Sequence, residues 1–598
     1  MDKFFEGAWE NKLAETEKML DPTNGFIYEE INGINYHTAV SSGRVHRLRE
    51  NAEYITALLT EGDAAAEKKA HIILEAVLKE QDKDSAHETF GIWPYLFEEP
   101  LTEMKNPDWN WASFIGRVLL VLLDEFPEKL TEEEIQAIKE ALQRACTSIV
   151  RRNMAVDYTN ISLMSSFVLV RTGEILKDTD FFERGRQTLE RQLDFIQKNG
   201  GYAEYNSPYY GVIDIEETGR ILKYCANDEV LATARRLHDA AWHVFATHFH
   251  YATRQIAPPH ARCYADIQNS RVPSLIQIGT KENCSLVSLQ DADVDLMWRF
   301  TVLDCPKSYY VCFAPMKDHE ERFLQEDFYK GYDPIRDDET RILLEKGLAP
   351  ISSSTYFCRD YCIGTFSKHD MWNQRRPLMA YFRTEHGVVC FRARCMNGNM
   401  DFSSAVMSSV QARSSAAGGV SFVTDHGDYH YILTPLVNGC FRTSRFSFRF
   451  AVEGSLEDAD IVQLKDSSFR FDIGNASIHL MVPHALFGGR EVKAQLFDTA
   501  DDKGIEFVFY EGPEKNMDLA NAGECVLLYN LEITPLHAEP ETVCAYRRQQ
   551  DRYEVQMKNA AGQILQQTEV PVHPGRYLQV YRDQIKRYRK GGFYYTDK

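Results

Sequence analysis

Gly200-Gly201-Tyr202-Ala203-Glu204-Tyr205-Asn206-Ser207-Pro208-Tyr209-Tyr210-Gly211 interrupts a long run of helical periodicity. Two glycines open the stretch and Ser207-Pro208 sets a turn inside it. Before it, apolar residues recur at helical spacing over 180–198, and after it over 213–227 and 229–250. The stretch therefore reads as a loop between two helices of a longer helical series. It is too polar and aromatic for a plain connector. Glu204, Asn206 and the phenols of Tyr205, Tyr209 and Tyr210 crowd together there. Phenols beside an amide suit chemistry in which a proton near a carboxylate or on a glycosidic oxygen has to move. The bland alternative is an ordered aromatic turn.

Working outward, the same periodicity predicts helices at 6–20, 49–60, 64–80 and 111–126, the last stopped by Pro127. Thr131-Glu132-Glu133-Glu134 has the form of a capping box and starts another helix to about 151, followed by one at 158–172. No fixed-period repeat is present, so paired helices closing into an α/α toroid fit better than a regular solenoid. Past residue 300 the texture changes to short alternating apolar runs broken by Gly, Asn and Asp. They lie at 309–313, 361–366, 378–382, 388–392, 429–433, 446–452, 478–482, 505–510 and 525–533. These predict a large antiparallel β-sandwich. The expected division is an N-terminal α/α toroid over 1–300, a junction over 301–350 with a charged helix at 318–346, and an antiparallel β-sandwich over 351–598. The basic, tyrosine-rich stretch 577–595 reads as a tail packed back on the surface.

The 598 residues are enough for several cores, and the composition is that of a soluble globular protein. A formal net charge of −21 argues against nucleic acid and anionic membranes as partners. The residues after Met1 form no apolar signal core, and no run reaches membrane-span length. The 13 cysteines are scattered, with no CxxC pair. Together these features lead to the expectation of a cytoplasmic protein with reduced thiols. GxGxxG, GxxxxGK[ST], HExxH and GxSxG are all absent, so the expectation is activity without metal or cofactor. The sequence leaves the oligomeric state open.

A second constellation is Pro258-Pro259-His260-Ala261-Arg262-Cys263-Tyr264-Ala265-Asp266. His260, Arg262 and Tyr264 alternate, so an extended backbone puts them on one face. A His or Tyr can take a proton, and an Arg can hold a carboxylate through two N–H groups. The alternative is a helix-to-sheet linker with incidental polar residues. A third lies around Trp93-Pro94, Glu98-Glu99 and Asp108-Trp109-Asn110-Trp111, where indole faces could stack on sugar rings and carboxylates or amides take hydroxyls. Each Trp taken singly is more often core. His37, near Arg44 and His46, is a further candidate against the usual expectation of a satisfied structural histidine. His248 and His250 are spaced i, i+2 and so do not share one helix face as metal ligands would. In the β region, 367–376 with Trp372 and Arg375 could reach over the helical part or form a plain hairpin.

Helices followed by sheets resemble the architecture of the α/α-toroid polysaccharide lyases, the heparinase, chondroitin and alginate lyases. Tyr36-His37-Thr38, Gly91-Ile92-Trp93-Pro94, Asp108-Trp109-Asn110-Trp111, Glu204-Tyr205-Asn206-Ser207-Pro208 and Pro259-His260-Ala261-Arg262-Cys263-Tyr264 also resemble a set found in heparinase II/III-like proteins, including the rhamnose–glucuronate lyases. The resemblance implies β-elimination at a 4-linked uronate of an oligosaccharide. It implies Asn206 as neutraliser, Tyr209 or Tyr210 as acid/base, and His260, Arg262 and Tyr264 as carboxylate clamp and second acid/base. It leaves the base open among His37, His260 and the tyrosines, because the spacing from Asn206 to the next His differs from the best-known toroid lyases. Glu204, Trp93, Trp109, Asn110, Trp372 and Arg375 complete the expected substrate contacts.

Two other readings compete. A glycoside hydrolase on the same scaffold would need two carboxylates across the bond, from Glu98 or Glu99, Asp108, Glu204 and Asp214. A carbohydrate-binding protein without catalysis would bind sugar and keep that binding when Tyr210 or His260 is replaced.

Overall fold

The computed structural model describes residues 3–33, 37–329, 351–424, 439–465 and 467–575, with short strand pieces at 589–590 and 593–594. Ten α-helices are described: α1 Lys3–Glu17, α2 Leu48–Glu61, α3 Ala64–Lys79, α4 Trp111–Glu125, α5 Glu132–Arg152, α6 Thr159–Leu176, α7 Thr179–Asn199, α8 Tyr210–Tyr224, α9 Asp228–His248 and α10 Arg271–Gly279. Their ends follow local chemistry. Thr131 and Glu134 form a reciprocal capping box on α5. Asp63, Asp178 and Asn227 cap α3, α7 and α9 through their side chains. Gly200 closes α7 at φ +95°, where a Cβ would strain the backbone.

The region before residue 300 is not wholly helical, contrary to expectation. Glu29–Asn32 pairs antiparallel with Ser42–Val45, and Phe249–His250 with Gln255–Ile256. Periodicity missed both because each strand spans only two to four residues. α10 was also unanticipated.

The helices share one apolar core running from Phe5 to Phe313. Within it lies a buried ionic lattice. Arg117 pairs with Glu53 and Glu217 at 2.7 Å each, and Arg220 pairs with Glu217 at 2.5 Å. Glu216 takes the Trp298 indole N–H at 2.6 Å and Arg271 at 3.3 Å. Each charge there meets an opposite partner, which is what keeps such burial tolerable.

From Arg322 onward the described chain is sheet-rich. The first antiparallel sheet runs in the order Ala494–Asp498, Asp502–Asp518, Cys440–Gly454, Val388–Asn397, Leu378–Arg383, Tyr361–Phe366, Ile351–Phe357, Arg322–Tyr329. The second runs Ala459–Lys465, Ser468–Ile473, Ala476–Phe487, Cys525–Pro535, Ser415–Phe422, Ala405–Ala412, Lys368–Asp370. A single apolar cluster joins them, with Phe450 of the first sheet 5.7 Å from Tyr529 of the second. Burying each such ring contributes on the order of 2 kcal/mol. A three-stranded sheet, Val543–Arg548, Arg552–Lys558 and Ile564–Pro571, packs on the second sheet through Tyr553, Val555 and Val570.

Three expectations need correction or placing. Residues 309–313 lie in a 3₁₀ helix, Lys307–Phe313, in which only Phe313 is buried, so the stretch lacks the alternating burial of a strand. The charged segment expected to be helical holds strand Arg322–Tyr329 instead, paired with Ile351–Phe357, while 330–350 lie outside the described residues. The predicted strand at 429–433 and most of the 577–595 tail also lie outside them. No helix of the described residues is long and apolar enough to cross a membrane.

Candidate active site

Three segments meet where the helical and sheet-rich parts join: 204–210, 257–264 and 370–376. Backbone bonds fasten them. The Ala261 N–H donates to the Tyr205 carbonyl at 3.1 Å, and the Cys263 N–H to the Gln374 carbonyl at 2.7 Å. His260 and Arg376 exchange both backbone bonds, at 3.3 and 2.9 Å. Two glycines permit the close approach. A Cβ on Gly364 would sit 1.9 Å from the Pro258 carbonyl oxygen, and one on Gly200 2.4 Å from that of Asp327.

Arg262 stands at the centre. Its Nη1 donates to Glu204 Oε1 at 2.7 Å, its Nε to Gln374 Oε1 at 2.7 Å, and its Nη2 to the Tyr210 hydroxyl at 2.9 Å. Its guanidinium lies over the Tyr210 ring at 4.6 Å and the half-buried Trp372 ring at 5.2 Å. The Tyr210 hydroxyl lies 2.6 Å from that of Tyr264. Tyr209 packs edge-on against both rings, at 5.4 and 5.1 Å. Tyr210 is 7 % exposed, whereas Tyr209 and Tyr264 are 47 % and 55 % exposed, so the pair runs from the interior to an open mouth. Burial pushes the Tyr210 phenol well above its ordinary value, against the pull of Arg262. Burial also raises the Tyr209 phenol.

Asn206 has a different position from that of a neutraliser. Its side-chain N–H groups donate to the Ala257 carbonyl at 2.7 Å and the Pro259 carbonyl at 2.9 Å, leaving none for a substrate carboxylate. Two facing carbonyls also decide which way the amide points. It sits at φ +50°, a left-handed conformation that Asn tolerates. His260 is fully buried, with Nδ1 2.7 Å from the Asn206 carbonyl. Burial is the main cause of its fall to about 3, partly offset by that hydrogen bond, so the ring is neutral at ordinary pH. Asn206 and His260 hold two segments together, and neither faces the mouth.

Glu204 is likewise committed. Its second oxygen accepts the Asn160 backbone N–H at 3.0 Å and side-chain N–H at 2.7 Å, and the residue is 2 % exposed. It is a counter-ion for Arg262 and has no free edge for sugar hydroxyls. Arg375 is buried, bonded to Asp370 at 2.9 Å and to the Ala261 carbonyl at 3.0 Å, and so braces the 257–264 segment.

The aromatic loops divide. Trp93 is 0 % exposed, and its indole N–H donates to the Val77 carbonyl at 2.8 Å, which makes it core. Trp109 is 8 % exposed, with its N–H on the Glu88 carbonyl at 3.0 Å. Asn110 precedes α4, donates to the Tyr158 hydroxyl at 3.3 Å and accepts from Arg152. His37 lies against Tyr95 and Trp111, 5.3 and 5.4 Å between centroids, and 3.9 Å from Asp108. Its neighbour Tyr36 is outside the described residues.

The carboxylates a hydrolase would need are buried or already engaged. Glu99 accepts the Ala39 N–H at 2.7 Å and is 2 % exposed, Glu98 holds His46 at 2.5 Å, and Asp214 is 3 % exposed. Gln374, Asn160 and Tyr158 were missed as site residues. Their positions far along the chain from 262 and 204 carry no local signal, although Gln374 lies within the 367–376 segment singled out above.

A family model described as a domain of unknown function (DUF8769) matches residues 10–281, a span that holds both the 204–210 and 257–264 segments. No curated protein matches. Among solved structures, the chain is similar to a mutant of heparan sulfate lyase HepC from Pedobacter heparinus. That match covers 96 % of this chain and 90 % of the other, at 10 % identity and a TM-score of 0.37. It is also similar to the Streptomyces coelicolor A3 chondroitin AC lyase in complex with chondroitin sulphate, over 95 % and 94 % of the two chains, at 9 % identity and a TM-score of 0.42. Both scores fall below 0.5, and the functional reading below rests on the side chains.

Proposed function

We propose that this chain is a lyase that cleaves a 4-linked uronate, such as glucuronate, in an oligosaccharide by β-elimination. The observation that carries it is the row of hydrogen bonds from the Arg262 N–H to the Tyr210 hydroxyl and on to the half-exposed Tyr264 hydroxyl, in which we assign the Tyr210 proton to the bond with Tyr264. Each bond in such a chain polarises the next, so Arg262 makes Tyr210 a stronger donor toward Tyr264. That bond fixes the Tyr264 oxygen at the open mouth, where it is placed to act as the base the reaction needs. Tyr264 takes the proton from C5, the C5–H electrons form the C4–C5 double bond, and the C4–O bond breaks. The same phenol, now protonated, returns the proton to the departing oxygen. Tyr209 and Trp372 offer ring faces to the sugar beside it.

The scaffold we assign is an α/α toroid over about 1–300, a junction over 301–350 and a β-sandwich over 351–598. The successive helices and the two sheets on a shared core support it. We assign the activity to the cytoplasm. Cysteines such as Cys146, Cys362 and Cys390, buried in apolar clusters, suit a reducing compartment.

The test is ultraviolet absorbance during incubation with 4-linked uronate oligosaccharides. A growing absorbance from the unsaturated product is expected. New reducing ends without that chromophore would mean hydrolysis and overturn the proposal.

A further inference from the structure

We propose that Glu326, on strand Arg322–Tyr329, is a positioning residue for the candidate site: by gripping Tyr205 it fixes the segment that carries Arg262 and Tyr264. The proposal rests on the reading of that site given above. Tyr205 is neighbour to Asn206 in the loop, yet its side chain turns away from the mouth into the seam between the two parts. Its hydroxyl lies 2.5 Å from Glu326 Oε2, 2.7 Å from Ser353 Oγ and 3.0 Å from His248 Nε2. His248 Nε2 is itself 3.4 Å from Glu326 Oε2.

A phenol has one proton to give and two lone pairs to fill. It donates to Glu326 while Ser353 Oγ and His248 Nε2 flank it, so the hydroxyl is held from a helix end and from two strands at once. Burial alone would raise the Glu326 carboxyl, but hydrogen bonds from His248 and Tyr205 and the His248 charge outweigh it and hold it near 2. At neutral pH it is therefore a full acceptor. The ring is fixed as well. It stacks on Phe328 with centroids 4.4 Å apart, in a small apolar cluster that also contains Ala261 and Phe366. The same strand touches the loop through its backbone, where Gly200 abuts the Asp327 carbonyl.

The grip reaches the site most directly through the Tyr205 carbonyl, which takes the Ala261 N–H. Ala261 lies between His260 and Arg262. Replacing the carboxylate by an amide loses the charge-assisted acceptor and can present an N–H group to the Tyr205 hydroxyl instead, so the loop loses its fixed register against 257–264.

Glu326→Gln and Tyr205→Phe, each in the full chain, test this by hydrogen exchange resolved to segments. Exchange at 257–264 should speed up by about tenfold or more while α2 and α4 keep their protection, because local opening is separable from global unfolding. If the wild type cleaves a uronate substrate, kcat should fall by about 10–100-fold with KM nearly kept, as expected for misplacement rather than lost binding. Should Glu326→Gln fail to fold, Ser353→Ala removes one hydrogen-bond partner of the same hydroxyl and should show the same exchange pattern more weakly. Unchanged exchange at 257–264 in both Glu326→Gln and Tyr205→Phe overturns the proposal. Absence of any lyase product from the wild type sinks the functional reading instead and leaves the exchange result to decide this one.

Discussion

Tyr210 and Tyr264 bring their hydroxyl oxygens within 2.6 Å of each other although they are 54 residues apart in the chain. Helices α8 and α9 lie between them and pack against each other, so the chain returns to the end it left. The two phenols differ in one respect that matters for chemistry: Tyr264 is half exposed and Tyr210 is buried. The exposed one can meet a substrate, and the buried one can only act on its neighbour.

That asymmetry predicts unequal effects of removing each hydroxyl. Tyr264→Phe should lower turnover by about 10²–10⁴-fold, the range for loss of a positioned acid/base. Tyr210→Phe should lower it by about 10–100-fold, the value of one lost charge-relayed hydrogen bond. Both should leave KM close to the wild-type value. Steady-state kinetics on the substrate found by the ultraviolet assay decides it, and full activity in both variants would remove the tyrosine pair from the mechanism.

Arg262 and Glu204 form a buried pair, with side chains 11 % and 0 % exposed. Removing one partner strands the other charge, so Arg262→Ala should cost about 3–5 kcal/mol of stability by denaturant unfolding. Arg262→Lys should recover only part, since an ammonium cannot span Glu204, Gln374 and Tyr210 together. The double variant Glu204→Gln/Arg262→Met should be more stable than Arg262→Ala alone and still inactive. A double variant no more stable than Arg262→Ala would contradict the pairing.

Local chemistry was legible in the sequence, and partnership was not. The capping box at Thr131 could be read because both of its residues lie within one turn. Helices α2 to α9 follow from periodicity for the same reason. The two helices between 204–210 and 257–264, both readable from periodicity, pack together and return the chain, and this brings the segments to one end. Trp93 and Trp109 could not be assigned by type, because the apolar surface that would stack on a sugar is the same surface that fills a core. Arg262 looked like a free clamp because its counter-ion lies 58 residues away, and its third partner, Gln374, lies 112 away. Asn206 looked like a neutraliser because an amide's hydrogens cannot be seen to be engaged until the opposing carbonyls are in place.

Gly200 combines two constraints. It sits at φ +95°, and a Cβ there would meet the Asp327 carbonyl at 2.4 Å. Gly200→Ala should therefore destabilise by more than the ~1 kcal/mol usual for a left-handed position alone. Because the clash pushes on the strand that carries Glu326, it should also raise exchange in the 257–264 segment. A stability within about 0.5 kcal/mol of wild type, the spread of neutral surface changes, would mean the loop is not seated on that strand.

Asp214 lies one helical turn after Tyr210 on α8, and its Oδ1 is buried without a hydrogen-bond partner among the described residues. Burial first, then the charges of Glu204 and Glu217, push its carboxyl well above the ordinary range, so it is carried as a neutral acid. The sign follows from proton counting. An unfolded chain ionises this group near pH ~4 while the folded one still holds its proton. The folded state therefore binds more protons above that value, and stability contributed by the neutral form is lost as pH rises. Asp214→Asn removes the titration with almost no change of shape. The variant should match wild type near pH 4 and become progressively more stable than it toward neutrality, by up to about 1.4 kcal/mol per pH unit until the folded-state carboxyl itself ionises. Urea unfolding from pH 4 to 8 measures this directly. A variant that is less stable than wild type at pH 7 by the margin it shows at pH 4 would mean Asp214 is ionised in the fold, with a cationic partner that the present arrangement does not supply.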